Sequence, residues 1–214
     1  MKKLLLSFLI LASHHLFAAE LEGVEFAETY KLGDSTLVLN GMGMRLATFV
    51  KVKVYAAGLY LEAKTSDGEK IIASDTKKVV RMVFKRDVDA DVIQESWTEG
   101  FEKQCKKKEL KTLLPSLAQL NALMSDMKDG EEMLYTFDQG TVEVFIGGAS
   151  RGKVENNRMA QLLLGCWIGP KPPNKELKAG MLGKWLLSIL GIINRASGGL
   201  RESNFFHAHQ GLGS

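Results

Sequence analysis

A chain of 214 residues carrying 28 lysines and arginines against 25 aspartates and glutamates has the length for one sizeable core and is short for two. Its net charge of +3 is local in origin: Lys106, Lys107 and Lys108 stand beside Lys103 and Lys111, without the arginine and aromatic interleaving of a nucleic-acid surface, so no nucleic-acid partner is expected. Cys105 and Cys166 fit neither a CxxC redox pair nor a zinc site, and His14, His15, His207 and His209 lie near the two ends, so neither a metal nor a cofactor is expected.

Residues 1–18, MKKLLLSFLILASHHLFA, join two lysines, an apolar run from Leu4 to Ala12 and a small residue at Ala18. The run is too short to span a bilayer and has the three zones of a secretory signal. Cleavage is expected after Ala18 or Ala19, giving an exported protein with no membrane span, periplasmic where the cell has an outer membrane. A buried N-terminal helix would leave Lys2, Lys3 and the change to acidic AELEGVE unexplained. The expected organisation is a signal over 1–18, one domain over 19–183 and a C-terminal segment over 184–214.

From Val24 to Val83 the signals are those of strands: VEFAETYKLG, STLVLNGMGM, TFVKVKVYAAGLYLEA, a short IIAS and KVVRMVFKRDV. Gly33-Asp34 marks a hairpin turn, and Ser66-Asp67-Gly68 a second turn between strands. A Gly-Met-Gly-Met turn is expected to deliver Arg45 to the start of the long run. Alternation then groups Val52, Val54 and Ala56 on one face, and Lys53, Tyr55, Ala57, Leu59 and Leu61 on the other.

From Asp89 the period becomes helical, with Asp89 or Asp91 as cap and Val92, Ile93, Trp97 and Phe101 as apolar members. A second helix is expected over about 108–128, its true start displaced toward Leu114 by Pro115. Strands return in EMLYTFDQG and TVEVFIGGA, joined at Asp138-Gln139-Gly140. A helix follows in VENNRMAQLLLGCWIG, stopped by Pro170, Pro172 and Pro173, and a shorter segment begins at Asn174. Gly147-Gly148 lacks the context of a phosphate loop. Beyond Gly183, KWLLSILGIINR is too short to span a membrane and the remainder reads as a tail. Cys105 and Cys166 each fall in a helix, either as buried thiols or as a bridge. The pattern is α+β, an antiparallel sheet with helices on one face.

The run LNGMGMR, then VKVYAAGLYLE, Arg81-Met82-Val83-Phe84, Trp97 with Gly100-Phe101, Phe145-Ile146-Gly147-Gly148 and Glu155-Asn156-Asn157, resembles the chalcone isomerase-like superfamily over roughly 22–183. The resemblance implies an open-faced β-sandwich: a large antiparallel sheet, a layer of helices over one face, and a ligand cleft between them. That superfamily holds plant enzymes that close a chalcone into a flavanone, fatty-acid-binding proteins and members without known catalysis, so fold does not settle function. Of the plant site roles, the arginine falls on Arg45 and the threonine on Tyr55. The helix tyrosine and asparagine fall near Val92 and Glu99, which cannot repeat them, since valine offers no hydrogen bond and a carboxylate repels a developing anion.

The fatty-acid-binding branch resembles this chain in its arginine and strand tyrosine, which hold a carboxylate through a planar donor fork and one O–H. The leading expectation is therefore a small amphiphilic or aromatic ligand, fatty-acid-like, held by Arg45 and Tyr55, with Lys53 at the mouth and Asn156 as a further contact. Alternatives are an isomerase or intramolecular lyase with Arg45 stabilising an enolate and Tyr55 donating, or a non-catalytic protein of the envelope. For the residues themselves, Arg45 either binds an anion or pairs with Glu25, Glu62 or Glu143, and Asn156 either caps its helix or touches ligand.

Overall fold

The structure is a computed structural model and describes residues 18–184. The expected signal, apart from Ala18, the C-terminal segment from 185 and all four histidines lie outside the described residues.

Strands β1 (Ala18–Leu21) and β2 (Val24–Ala27) form a hairpin of their own. Next come β3 (Thr29–Leu32), β4 (Ser35–Ala47), β5 (Val52–Leu61), α1 (Gly68–Ala73) and β6 (Lys78–Phe84). Two helices follow, α2 (Ala90–Gln104) and α3 (Lys107–Ala122). After them come β7 (Glu132–Asp138), β8 (Thr141–Ile146), β9 (Ala149–Glu155), α4 (Asn157–Ile168) and α5 (Lys175–Met181). Strands β3 to β9 make one seven-stranded sheet in chain order, every pair antiparallel. This is the α+β, helix-covered antiparallel sheet that the sequence implied.

Both faces of the central strands are buried, which is why β5 and β6 read as nearly continuous apolar runs. On one face Tyr55, Leu59, Met82, Phe84, Met133 and Tyr135 pack under α2, α3 and α4, whose Trp97, Phe101, Leu117, Leu163 and Trp167 complete the main core. On the other face Ala56, Tyr60, Val79 and Val83 pack with Phe26 of the β1–β2 hairpin and with Leu37 and Leu39. Arg81 fastens that hairpin: it lies 5.0 Å over the Phe26 ring, donates to the Glu25 carbonyl at 2.7 Å and binds the Glu132 carboxylate at 2.6 Å.

Several elements differ from the sequence expectation. IIAS is no strand: Asp67 accepts a hydrogen bond from the Lys70 N–H at 3.0 Å and starts the short helix α1. Pro115 lies inside α3, which begins at Lys107 and ends at Ala122. Residues 149–155 form β9, hydrogen-bonded to β8 through the Gly147-Gly148 turn, whose φ values of +57° and +80° suit a two-residue hairpin loop. Within β9 only Val154 is buried, so the strand shows no apolar alternation to read.

The Gly-Met-Gly-Met motif is not a turn but the middle of β4. A Cβ on Gly41 would fall on the Gly180 carbonyl oxygen and one on Gly43 on the Leu177 carbonyl oxygen, so the glycines let α5 lie directly on the strand backbone. Asn40, at a bulge between Leu39 and Gly41, seals the contact by donating to the Met181 carbonyl and accepting from the Thr65 N–H, both at 2.8 Å.

Candidate functional site

The packing of α5 on β4 fixes the strand end that carries Arg45. Asn174, just before α5, accepts from the Leu46 N–H at 3.1 Å and donates to the Met44 carbonyl at 3.0 Å, pairing with the backbone on both sides of Arg45 as a neighbouring strand would. In the sequence Asn174 marks only the start of a segment. Its signal was a cap-type residue after a proline stop, yet its side chain makes no cap bond to α5.

Arg45 is opposite Tyr55 in the β4–β5 ladder, but the next pair is Leu46 with Lys53, leaving Val54 as the extra residue of a bulge. The bulge breaks the period of two. Tyr55 keeps the helix-covered face with Ala57, Leu59 and Leu61, and Val54 also packs against that core. Lys53 no longer shares that face: its ammonium binds Glu22 at 2.7 Å, in the turn of the β1–β2 hairpin. The expected Lys53 contribution to the site is therefore corrected by a register shift that strict alternation cannot show.

Arg45 and Tyr55 line a pocket of about 380 Å³ between the ends of β4, β5 and β6, helix α2 and the Lys171–Pro173 connection. Its interior wall is apolar and buried, from Met82, Phe84, Ile93 and Trp97, with Cys166 beside them. Val92, Ser96, Glu99, Lys103 and Lys171 form the exposed rim. The two helix positions that lack plant-type chemistry, Val92 and Glu99, thus lie at the same pocket as Arg45 and Tyr55.

Arg45 makes no ion pair among the described residues; its guanidinium donates to the carbonyl of its neighbour Leu46. The alternative carboxylates are placed elsewhere. Glu62 accepts from the Lys77 N–H at 3.2 Å, Glu143 binds Ser150 at 2.7 Å and Lys153 at 3.4 Å, and Glu25 meets Arg81 through its carbonyl. The salt-bridge reading of Arg45 is corrected accordingly. At the rim, Glu99 is held by Lys103 at 2.6 Å, and that bond, with a small contribution from Arg45, keeps its carboxyl below the usual range. Arg45 and Lys171 are left as cations without a carboxylate partner among the described residues.

Tyr55 is buried, and burial pushes its phenol well above the ordinary tyrosine range, with Arg45 pulling more weakly the other way. The hydroxyl therefore stays protonated and is free to donate. It makes no hydrogen bond among the described residues. The indole N–H of Trp167 lies near it yet outside hydrogen-bond geometry, so that N–H, like the one of Trp97, is without a partner among the described residues. Behind the pocket Trp97, Trp167 and Tyr135 meet edge to face at 5.0 to 5.8 Å, a rigid aromatic wall.

Asn156 lies outside the pocket. Its side chain accepts from the Met159 N–H at 3.1 Å, capping α4, and donates to Ser116 at 3.0 Å. Cys105 and Cys166 are not bridged. Burial pushes the Cys166 thiol up to about 12, and Gln104 donates to its sulfur at 3.2 Å, so it is an apolar wall group and no nucleophile at neutral pH. Among the described residues no cluster of three or more His, Cys, Asp or Glu is placed to hold a metal ion, and no helix is long and apolar enough to cross a membrane.

Comparison with known proteins adds to this geometry. A family model described as chalcone isomerase-like matches residues 18–183. No curated protein sequence matches the chain. Among solved structures it is similar to a fatty-acid-binding protein of Arabidopsis thaliana, with a TM-score of 0.62 and 19% identity, over 78% of this chain and 96% of that one. At that identity the likeness is one of fold.

Proposed function

The chain belongs to the chalcone isomerase-like family, and on that footing we propose that it binds a small amphiphilic acid in the pocket of Arg45 and Tyr55 without converting it. The observation that carries this reading is the Arg45 guanidinium, without a carboxylate partner among the described residues, at the edge of an apolar wall. The carboxylate would take the planar donor fork of Arg45 and the phenol of Tyr55, and the tail would lie along Met82, Phe84, Ile93 and Trp97. The Arabidopsis protein is a fatty-acid-binding protein, which agrees with that chemistry.

The pocket volume supports a small ligand. Small-molecule pockets span about 300–1,000 Å³, and 380 Å³ lies near the lower end, closed behind by the aromatic wall. A short or medium chain, or a compact aromatic acid, fits better than a long one. Turnover is not favoured, because Val92 brings no donor to the rim and Glu99 brings a negative charge. On the signal-like residues 1–18 we extend the proposal to an exported, periplasmic protein, secreted where there is no outer membrane.

Native mass spectrometry of protein purified from its own envelope fraction tests the binding. The wild type is expected to carry an organic acid that Arg45→Gln, folded by circular dichroism, has lost. A wild type that carries none, and takes up no added decanoate, would overturn the reading.

A further inference from the structure

The rim of the pocket carries a second feature that ligand binding does not use. Among the described residues four large apolar side chains stand in solvent, and three of them gather at this rim: Phe49, 95% exposed, Val50, 62%, and Val92, 48%. Phe49 and Val50 form the tip of the loop that joins Ala47 of β4 to Val52 of β5. Ala47, Val54 and Val92 themselves line the pocket, so the loop projects from its edge. A phenylalanine with almost no contact in the fold contributes nothing to packing and exposes its whole apolar area to water.

Among the charged side chains that line the pocket or flank the tip, cations outnumber carboxylates. Lys51 flanks it, with an exposed side chain that meets Glu176 only at 3.7 Å, and Arg45, Lys103 and Lys171 line the mouth behind it. Against these cations stand Glu176 and Glu99. An apolar tip of two residues is too small to form the buried centre of a stable protein interface, which needs about 800 Å² per partner. It is the right size to enter the headgroup region of a bilayer while the surrounding cations meet anionic lipid.

We propose that the β4–β5 tip docks on an anionic lipid surface, inserting Phe49 and Val50 and setting the mouth of the pocket against the membrane. An amphiphilic acid would then pass between bilayer and pocket without crossing open water. That purpose rests on the proposed binding function; the docking itself rests on the tip.

The test is flotation of the full chain with vesicles of phosphatidylcholine alone or mixed with phosphatidylglycerol, for the wild type and a Phe49→Asp, Val50→Asp variant. The wild type is expected to float with the mixed vesicles, less so as salt is raised, and the variant to partition at least about tenfold more weakly. Decanoate binding in solution should be the same for both, so a failed pocket and a failed surface give different results. No flotation, flotation unchanged by the double substitution, or flotation indifferent to phosphatidylglycerol would overturn the proposal.

Discussion

Arg45 and Arg81 come from the same sheet and end in opposite circumstances. Arg81 has everything a structural arginine needs: a carboxylate at 2.6 Å, a carbonyl at 2.7 Å and an aromatic face. Arg45 has one neighbouring carbonyl and the pocket. Removal should therefore separate them. Arg81→Ala is expected to lower stability by about 1–3 kcal/mol, as the β1–β2 hairpin loses its clamp. Arg45→Gln should stay within about 1 kcal/mol of the wild type. Urea unfolding of the two variants decides the matter, and a large loss for Arg45→Gln would return that residue to a structural role. The resemblance carried by LNGMGMR and VKVYAAGLYLE is what made Arg45 and Tyr55 legible as a pair, a guanidinium and a phenol suited to one carboxylate. Lys53 and Asn156 were not separable from them, since one depends on a bulge and the other is equally suited to capping.

At the scale of elements, the contact that positions the site is α5 lying on β4. Gly41, Gly43 and Gly180 leave no room for a side chain: a Cβ on Gly180 would fall on the Met42 carbonyl oxygen. Gly43→Ala and Gly180→Ala are each expected to cost about 2–4 kcal/mol, because backbone on both sides must shift. Either variant should also weaken ligand binding, since Asn174 can no longer hold the backbone around Arg45. Thermal melting and a ligand titration on the same samples check both. The glycines are conspicuous in sequence but have the look of a turn, because a partner helix more than a hundred residues away leaves no local mark. Two other elements escaped for related reasons. The isoleucines of α1 look like a strand until Asp67 is seen as a cap, and β9 is an edge strand of which only Val154 is buried.

Taken whole, the molecule buries its polar aromatic groups heavily. All four tyrosines, Tyr30, Tyr55, Tyr60 and Tyr135, have phenols held above the ordinary value of 10.0, in each case chiefly by burial, and that of Tyr60 is pushed up to about 12. The unfolded chain releases these protons near pH 10 and the folded one keeps them, so above that pH the folded state binds more protons and stability falls as pH rises. Tyrosinate absorbance is thus expected to appear together with unfolding on the alkaline side; a smooth titration centred at 10 in folded protein would contradict this. The sheet, its antiparallel order and its helix layer were legible because period and turn chemistry agree over most strands. The resemblance implied a cleft between sheet and helices, but its lining and shape were not legible, because they arise where a bulge, three glycines and a distant asparagine bring the ends of separate elements together. The claim that this pocket holds an anion through Arg45 is tested most directly by isothermal titration of decanoate and decanol, identical in chain and different in charge. The wild type is predicted to bind the acid at least about tenfold more tightly than the alcohol, and Arg45→Gln to bind the two alike. Equal binding of acid and alcohol by the wild type, or a preference for the acid that survives Arg45→Gln, would contradict it.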